Sequence, residues 1–224
     1  MTTFERVVAY VARFDPAFPA AIRGAEPGLI AELDSRLGGN LPAIHRDFLT
    51  VMGRDMDWIQ VGRMDFRIET VLDYYEEHDH PPSYFYVRIG TERAEPRFHP
   101  HLEIKLEGDH PVVCFPYALP EYFHGVVATH REYFAGSLHE MVCTPVFRIY
   151  ELHGGGTRRP ISLRADRWDP GALRPVEEVA ARLGFETVWF SSATARALRR
   201  DDAAAWAVQR PGVPLQLTLA ADSG

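Results

Sequence analysis

Two pairs of histidines are the residues of this chain whose spacing could form a metal site. One residue separates His78 from His80 and His99 from His101, and Glu103 follows the second pair. Alternate residues of a strand share a face, so the second pair and this glutamate could together bind Zn²⁺ or Fe²⁺. A proline lies inside the second pair and two follow the first, which is typical of turns. The sequence therefore favours solvent-facing histidines and no metal site, with a metal-binding protein or an enzyme using His99 and His101 as the alternative.

No other group of reactive residues has the spacing of a familiar catalytic motif. None of the serines lies in the Gly-x-Ser-x-Gly sequence of a nucleophile elbow. Cys114 is flanked by apolar residues of a predicted core strand and Cys143 ends an apolar helix face, whereas a nucleophilic thiolate needs an accessible, electropositive environment. The glycine run 154–156 is not followed by the Gly-Lys-Ser/Thr of a phosphate-binding loop. We therefore predict that the protein is not an enzyme and has no catalytic residues and no cofactor.

Acidic and aromatic residues are concentrated in two segments, 73–79 and 116–124. The first contains two tyrosines and four acids, and the second contains two tyrosines, a phenylalanine and a glutamate. Tyrosine offers rigid contact area to a partner protein, and carboxylates offer charge complementarity to a basic one. The predicted partner-binding residues are Asp73, Tyr75, Glu76, Glu77, Asp79, Tyr117, Glu121 and Tyr122. The alternative is that Tyr74 and Phe123 belong to the core and that the acids are merely solvated.

The net charge of −7 is distributed unevenly along the chain. Residues 1–150 contain fourteen Lys and Arg against twenty-two Asp and Glu, whereas residues 151–224 contain ten against nine. Phosphate binding requires clustered cations, so nucleic acid is not a predicted partner of the acidic part. A basic protein is the predicted partner, because opposite potentials accelerate association. An acidic surface that serves solubility alone is the other interpretation.

Length and composition are those of a globular protein. Of the 224 residues 46% are hydrophobic. No apolar run approaches the roughly 18 residues of a membrane-spanning helix. The first residues, Met-Thr-Thr-Phe-Glu-Arg, lack the basic and apolar regions of a signal peptide, and two cysteines form no disulfide framework. We therefore expect a cytoplasmic protein that does not associate with membranes.

Hydrophobic periodicity predicts a mixture of helices and strands. A pair of helices is expected within residues 29–52, because Gly38 and Gly39 can end the first helix and Pro42 can begin the second. Alternation and β-branched content predict an antiparallel hairpin over 102–115. Further helices are predicted at 4–14, 127–141, 176–183 and 191–209, the last capped by Ser191 or Ser192, and a short helix or a loop is predicted at 71–80. Strands are predicted at 58–61, 84–89, 146–150, 187–190 and 215–219.

The helix pair also carries a pattern that resembles the SUKH superfamily, which includes yeast cell-wall-synthesis regulators and many bacterial toxin-immunity proteins. The matching residues are Ile30, Leu33, Asp34, Leu37, Gly38, Leu41, Pro42, His45, Phe48, Leu49 and Gly53. His45 stands where the family usually has an aromatic residue, and Met52 stands where Asn is common. Ile89-Gly90 with Leu102–Phe115 resembles the family's central hairpin and Val127–Val142 its closing helix, so that the resemblance spans residues 26–148.

The resemblance implies both a fold and a function. The fold would be α+β, a SUKH-like mixed or antiparallel sheet of about five or six strands flanked by helices, with a small C-terminal α/β extension. The expected parts are an N-terminal helical segment (1–25), a SUKH-like domain (26–150), a Gly-rich linker (151–160) and the extension packed on the first domain (161–224). The function would be to neutralise a cognate bacterial toxin, in this family often a nuclease, by stoichiometric binding. A regulatory scaffold protein, as in the family's eukaryotic branch, is the alternative.

Overall fold

The structure, a computed structural model, describes residues 1–61, 64–77, 86–92, 101–103, 112–116, 131–152, 157–162, 171–210 and 213–221. The chain divides into two compact units, Met1–Phe134 and Ala135–Gly224. Both contain helices and antiparallel strands, which confirms the predicted α+β fold class. Within the described residues, no helix has the length and apolar character needed to cross a membrane.

Helices predominate in the described part of the first unit. They are α1 (Thr3–Val11), α2 (Phe18–Ala21), α3 (Pro27–Arg36), α4 (Ala43–Met52) and α5 (Ile68–Glu77). The strands are β1 (Met64–Asp65), β2 (Tyr86–Arg88), β3 (Thr91–Glu92), β4 (His101–Glu103), β5 (Val112–Pro116) and β6 (Arg131–Ala135). β1 pairs with β3, and the other four form a sheet of order β2-β4-β5-β6. The described residues thus form a four-stranded sheet where five or six strands were expected, and the antiparallel pairing of β4 with β5 confirms the predicted hairpin.

The predicted helix pair is confirmed as α3 and α4. Gly38 and Gly39 have φ angles of 65° and 79°, a left-handed conformation that glycine adopts without steric cost and that ends α3. Asp34 closes the connection, since its carboxylate accepts the backbone N–H of Leu41 at 3.1 Å and the guanidinium of Arg46 at 2.7 Å. These hydrogen bonds lower the pKa of Asp34. The glycine turn and the hydrogen bonds of Asp34 together therefore fix the connection between α3 and α4.

Helix α1 packs against α4 in an aromatic core. Thr2 and Glu5 form a capping box at the start of α1, in which each side chain accepts the other residue's backbone N–H. The backbone N–H of Phe4 donates to Asp47 of α4 at 3.0 Å. The fully buried ring of Phe4 lies edge-on to that of Phe48, with centroids 5.2 Å apart. Burial of two such rings stabilises the contact by several kcal/mol, on the order of 2 per side chain.

The second unit is built around an antiparallel sheet. Its helices are α6 (Leu138–Phe147), a π-helix (Arg148–Leu152) and α7 (Leu173–Arg182). Its strands are β7 (Thr157–Ser162), β8 (Glu186–Thr187), β9 (Ala195–Arg200), β10 (Ala203–Arg210) and β11 (Val213–Ala221), in the order β7-β11-β10-β9-β8. Each neighbouring pair is antiparallel. The predicted extension is therefore an antiparallel α+β unit, and it also includes α6.

Helices cover both faces of this sheet. Leu173 and Ala180 of α7 pack against Ala205 and Ala207 of β10. Side chains alternate along a strand, so Trp206 points to the opposite face, where its ring centroid lies 5.9 Å from that of Phe147 in α6. Small alanine side chains therefore face α7, and a large indole ring faces α6.

The expectations around α6 were wrong in two places. A helix was expected over 127–141, but residues 131–135 form β6 and the helix begins at Leu138. Ser137 caps this helix, because its hydroxyl accepts the backbone N–H of Glu140 at 3.1 Å. A strand was expected over 146–150, but these residues continue α6 and enter the π-helix. Residues on several sides of α6 are buried, so its sequence lacks the one-sided periodicity of a surface helix. Pro145 lies inside α6, where proline removes a helical hydrogen bond and favours such a bulge.

Four other expectations also differ from the structure. The helix expected to run to Gln209 is the hairpin of β9 and β10, because packing against α7 and α6 overrides the helical propensity of an alanine-rich segment. Residues 157–160, expected as part of a linker, belong to β7 and pair with β11. Trp58 lies in a turn instead of a strand, and its indole N–H donates to Asp15 at 3.0 Å. The division between the units precedes the boundary expected at 151–160.

Candidate partner-binding surface

Residues 73–77 of the acidic segment that was predicted to bind a partner form the C-terminal half of α5. Ile68, Val71 and Leu72 are buried at i, i+3 and i+4, which fixes one side of this helix to the core of the first unit. The backbone N–H of Ile68 donates to the carbonyl oxygen of Gly53 at 2.9 Å, so the start of α5 is anchored next to the end of α4. The opposite side of α5 is consequently held toward solvent in a defined orientation.

Carboxylates occupy that solvent-facing side. Asp73, Glu76 and Glu77 are exposed. Arg36 of α3 donates to Glu76 at 3.2 Å and to Glu32, one turn earlier in α3, at 2.9 Å. These hydrogen bonds, the one to Glu32 above all, raise the pKa of Arg36. One guanidinium thus binds two carboxylates. We call Glu32, Arg36, Asp73, Glu76 and Glu77 the acidic surface, and these five residues have a net charge of −3.

A cluster of two tyrosines and an arginine lies beside the acidic surface. The hydroxyl of Tyr75 accepts the backbone N–H of Arg88 in β2 at 3.2 Å. The guanidinium carbon of Arg88 lies 3.5 Å from the ring centroid of Tyr74, which is the geometry of a cation–π contact. The two tyrosine rings meet edge-on at 5.8 Å. We call Tyr74, Tyr75 and Arg88 the Tyr–Arg cluster.

Burial sets the electrostatics of the Tyr–Arg cluster. It raises the pKa of both tyrosines, so their hydroxyls are neutral near pH 7, and it lowers the pKa of Arg88. The Nη1 atom of Arg88 is buried and has no hydrogen-bond partner among the residues that the structure describes. The ring of Tyr74 therefore stabilises this cation. The contacts hold both tyrosines in fixed positions at the edge of the acidic surface.

The structure describes half of the predicted site residues. It places Asp73, Tyr75, Glu76 and Glu77 together on α5, whereas Asp79, Tyr117, Glu121 and Tyr122 lie outside the described residues. A common face formed by both predicted segments therefore stays a prediction. Tyr75 is half-buried and joins α5 to β2, so part of its surface serves the fold.

Sequence reasoning missed Glu32, Arg36 and Arg88. The i, i+4 spacing of Glu32 and Arg36 is typical of a helical ion pair and could have been recognised. No local pattern connects Arg36 with Glu76, because forty positions separate them and only the packing of α3 against α5 brings them together. Arg88 gave no signal either, since its neighbours in sequence predict only a strand.

The structure places few of the histidines that could bind a metal. Within the described residues, no group of three or more His, Cys, Asp or Glu side chains could hold a metal ion. His101 and Glu103 belong to β4, and His78, His80 and His99 lie outside the described residues. A metal site that uses His99 and His101 therefore remains a hypothesis from the sequence.

Cys143 is fully buried in α6, as its apolar neighbours indicated. Burial, and to a smaller extent the charge of Glu140, raises the pKa of its thiol far above neutrality. The thiol is consequently protonated and inaccessible to a substrate, which is the opposite of what a nucleophilic cysteine requires.

Comparisons of the chain with protein-family models, with curated proteins and with solved structures give no match. The resemblance to the SUKH superfamily therefore rests on the sequence pattern of the helix pair and the blocks that follow it.

Proposed function

We propose that this protein is an immunity-type protein that binds a basic bacterial toxin in a stoichiometric complex and thereby neutralises it. The observation that carries the proposal is the acidic surface of α3 and α5, with its net charge of −3. This surface belongs to a unit whose sequence, residues 1–134, has thirteen Lys and Arg against twenty-one Asp and Glu. Such a potential would steer a cationic protein toward the surface and would repel acidic ones.

The Tyr–Arg cluster supports the same proposal through contact area. Charge complementarity speeds association, but tight complexes also depend on a few aromatic or arginine side chains that are buried in the interface. Tyr74 and Tyr75 are already held by Arg88, so that little side-chain entropy would be lost when a partner covers them. We therefore assign Tyr74 and Tyr75 the role of anchors and the surrounding acids the role of orienting the partner.

Occlusion is the mechanism that follows from this arrangement. A nuclease toxin binds phosphates through clustered Lys and Arg side chains. Carboxylates on α5 would compete for those cations and block access of nucleic acid, without any turnover by the immunity protein. A stable complex of this kind buries about 800 Å² on each partner. The acidic surface would supply one part of that area and the predicted segment 116–124 another.

Charge reversal on α5 tests the proposal. Asp73→Lys with Glu77→Lys changes the net charge by four and leaves the Arg36 ion pairs intact. Glu186→Lys with Asp201→Lys makes the same charge change at exposed positions of the second unit and serves as the matched control. The tagged full-length protein is used to capture partners from its native cell lysate, followed by a salt wash and quantitative mass spectrometry.

We expect the wild type and the control variant to retain one basic protein in a stoichiometric amount. The α5 variant should retain at least about tenfold less of it, because two attractive contacts become repulsive. Equal retention by both variants would contradict the proposal. Several substoichiometric partners would favour a regulatory scaffold, and stoichiometric metal in the purified protein, lost in His99→Ala, would favour the metal-binding alternative.

A further inference from the structure

A histidine lies in the middle of the aromatic core of the first unit. The side chain of His45, in α4, has 0% exposed surface. Its ring stacks on Phe48, with centroids 6.2 Å apart and planes at 24°. Phe48 in turn meets Phe4 and Phe66 edge-on, at 5.2 and 6.4 Å. Within the described residues, neither nitrogen of the imidazole has a hydrogen-bond partner.

Charged and titratable side chains near His45 lie on α4 and on the elements packed against it. Those on α4 and on the two helices packed against it, together with the segment around Phe66, are Glu5, Arg6, Tyr10, Glu32, Asp34, Arg36, Arg46, Asp47, Asp65 and Arg67. The carboxylates among them serve other groups. Asp34 binds Arg46, Asp47 accepts a backbone N–H of α1, and Asp65 binds Arg67. None of these side chains forms an ion pair or hydrogen bond with the imidazole, so nothing here would compensate a charge on it.

We propose that His45 makes the first unit acid-sensitive: taking up a proton forces the imidazole out of the core and opens the packing of α1 on α4, while the second unit stays folded. An imidazolium carries two N–H donors and a charge, and an apolar core satisfies none of them. Opening brings water to the ring and removes that cost. This inference is independent of the proposed function, since it concerns only the core of the unit.

The pH range of the effect follows from proton linkage. Burial lowers the pKa of His45 to about 3 in the folded unit. In the unfolded chain the imidazole titrates at about 6.5. Between these values the unfolded state binds more protons than the folded state, so stability decreases as the pH falls. Each pH unit in this window should multiply the opening equilibrium constant by about ten, and above pH 6.5 His45 should have no effect.

The second unit provides an internal reference. His139 in α6 is partly exposed and stacks on Trp189, with ring centroids 5.8 Å apart. Because His139 belongs to the second unit, replacing it removes an imidazole without altering the aromatic core around His45. A His139→Phe variant is therefore the matched control for a His45→Phe variant.

Hydrogen exchange measured by mass spectrometry on the full chain tests the proposal. Exchange of peptides from α1 and α4, corrected for the intrinsic rate, is compared with that of peptides from β10 at pH 7, 6, 5 and 4.5. For each unit by which the pH falls within the window, the protection of α1 and α4 in the wild type should decrease about tenfold more than in His45→Phe. The His139→Phe variant should behave like the wild type. Protection of β10 should follow the same pH dependence in all three proteins.

Two results would overturn the proposal. One is an equal pH dependence of α1 and α4 protection in the wild type and in His45→Phe. The other is a wild-type NMR titration in which the His45 ring takes up a proton near pH 6.5 while α1 and α4 remain protected. If His45→Phe does not fold, His45→Leu replaces it in the exchange experiment, and the titration of the wild type tests the proposal without any variant.

Discussion

The two units of this protein arrange their charges in different ways. In the second unit, arginines of β9 are matched by acids: Arg196 lies 3.1 Å from Glu177, and Arg199 lies 3.5 Å from Glu151. In the first unit, carboxylates outnumber cations on α3 and α5, and the single Arg36 is shared. Matched pairs cancel each other's field, whereas an excess of one sign extends a potential over about 8 Å at physiological salt. The comparison indicates that the first unit is the one suited to attract a charged partner.

The cores of the two units differ as well. The first contains a buried imidazole among phenylalanine rings. The second contains small alanines of β10 under α7 and a group of large rings, Trp206, Phe147 and Phe190, at α6. A proton can therefore disturb the first core through His45. The described core of the second unit is mainly apolar, and its buried carboxyl, that of Glu140, accepts the backbone N–H of Gly136 at 2.9 Å. Substitutions that affect one unit at a time test how separate these properties are.

Trp206→Ala should have the largest effect. Removing this ring leaves a cavity against Phe147 and should lower the free energy of unfolding of the second unit by about 3–5 kcal/mol. Urea unfolding gives the loss, and hydrogen exchange locates it. The comparison predicts reduced protection in β9, β10 and α6 with unchanged protection in α1 and α4. An equal loss in both units would contradict the assignment of Trp206 to the core of the second unit.

Gly24→Ala should have an intermediate effect, confined to the first unit. A Cβ atom at this position would lie 2.0 Å from the carbonyl oxygen of Thr50 in α4, so the backbone must shift. We expect a loss of about 1–3 kcal/mol, measured by urea unfolding. Gly28→Ala is the control, because a Cβ there meets nothing within 4 Å and alanine favours the helix. If the free energy of unfolding decreases equally in both variants, residue 24 does not lie as close to α4 as described.

Asp34→Asn should have the smallest effect, and the effect should depend on pH. The hydrogen bonds from Arg46 and Leu41 lower the pKa of Asp34, so its carboxylate contributes stability above its unfolded pKa and loses that contribution as the pH falls through the folded value. We expect the variant to lose about 1 kcal/mol at pH 7. Urea unfolding of both proteins at low pH should show this difference disappearing. A difference that stays the same at every pH would show that the charge is unimportant.

Two elements with a strong local signal were predicted correctly. The α3–α4 pair follows from Gly38, Gly39 and Pro42, which mark the end of one helix and the start of the next. β11 follows from alternating leucines, of which Leu215 is buried. In both cases the backbone conformation is determined within a few residues of the pattern, so no knowledge of the tertiary structure is required.

Residues whose conformation depends on distant partners were not predicted. Ala203–Ala207 would favour a helix by propensity, but α7 and Phe147 hold this segment in the sheet. The candidate surface shows the same limit, because its acids on α5 were recognised from composition, whereas Arg36 and Arg88 reach it only through the packing of α3 and β2. Local chemistry therefore identified the surface, and tertiary contacts supplied the residues that fix its geometry.

Rescue from toxicity tests directly whether the acidic surface neutralises a basic toxin. The captured basic protein is expressed in a sensitive host together with the wild type, the Asp73→Lys/Glu77→Lys variant or the Glu186→Lys/Asp201→Lys control, at equal levels of folded protein. We expect the wild type and the control to restore growth and the α5 variant to fail to do so. A partner that is harmless on its own, or equal rescue by the α5 variant, would contradict the proposal.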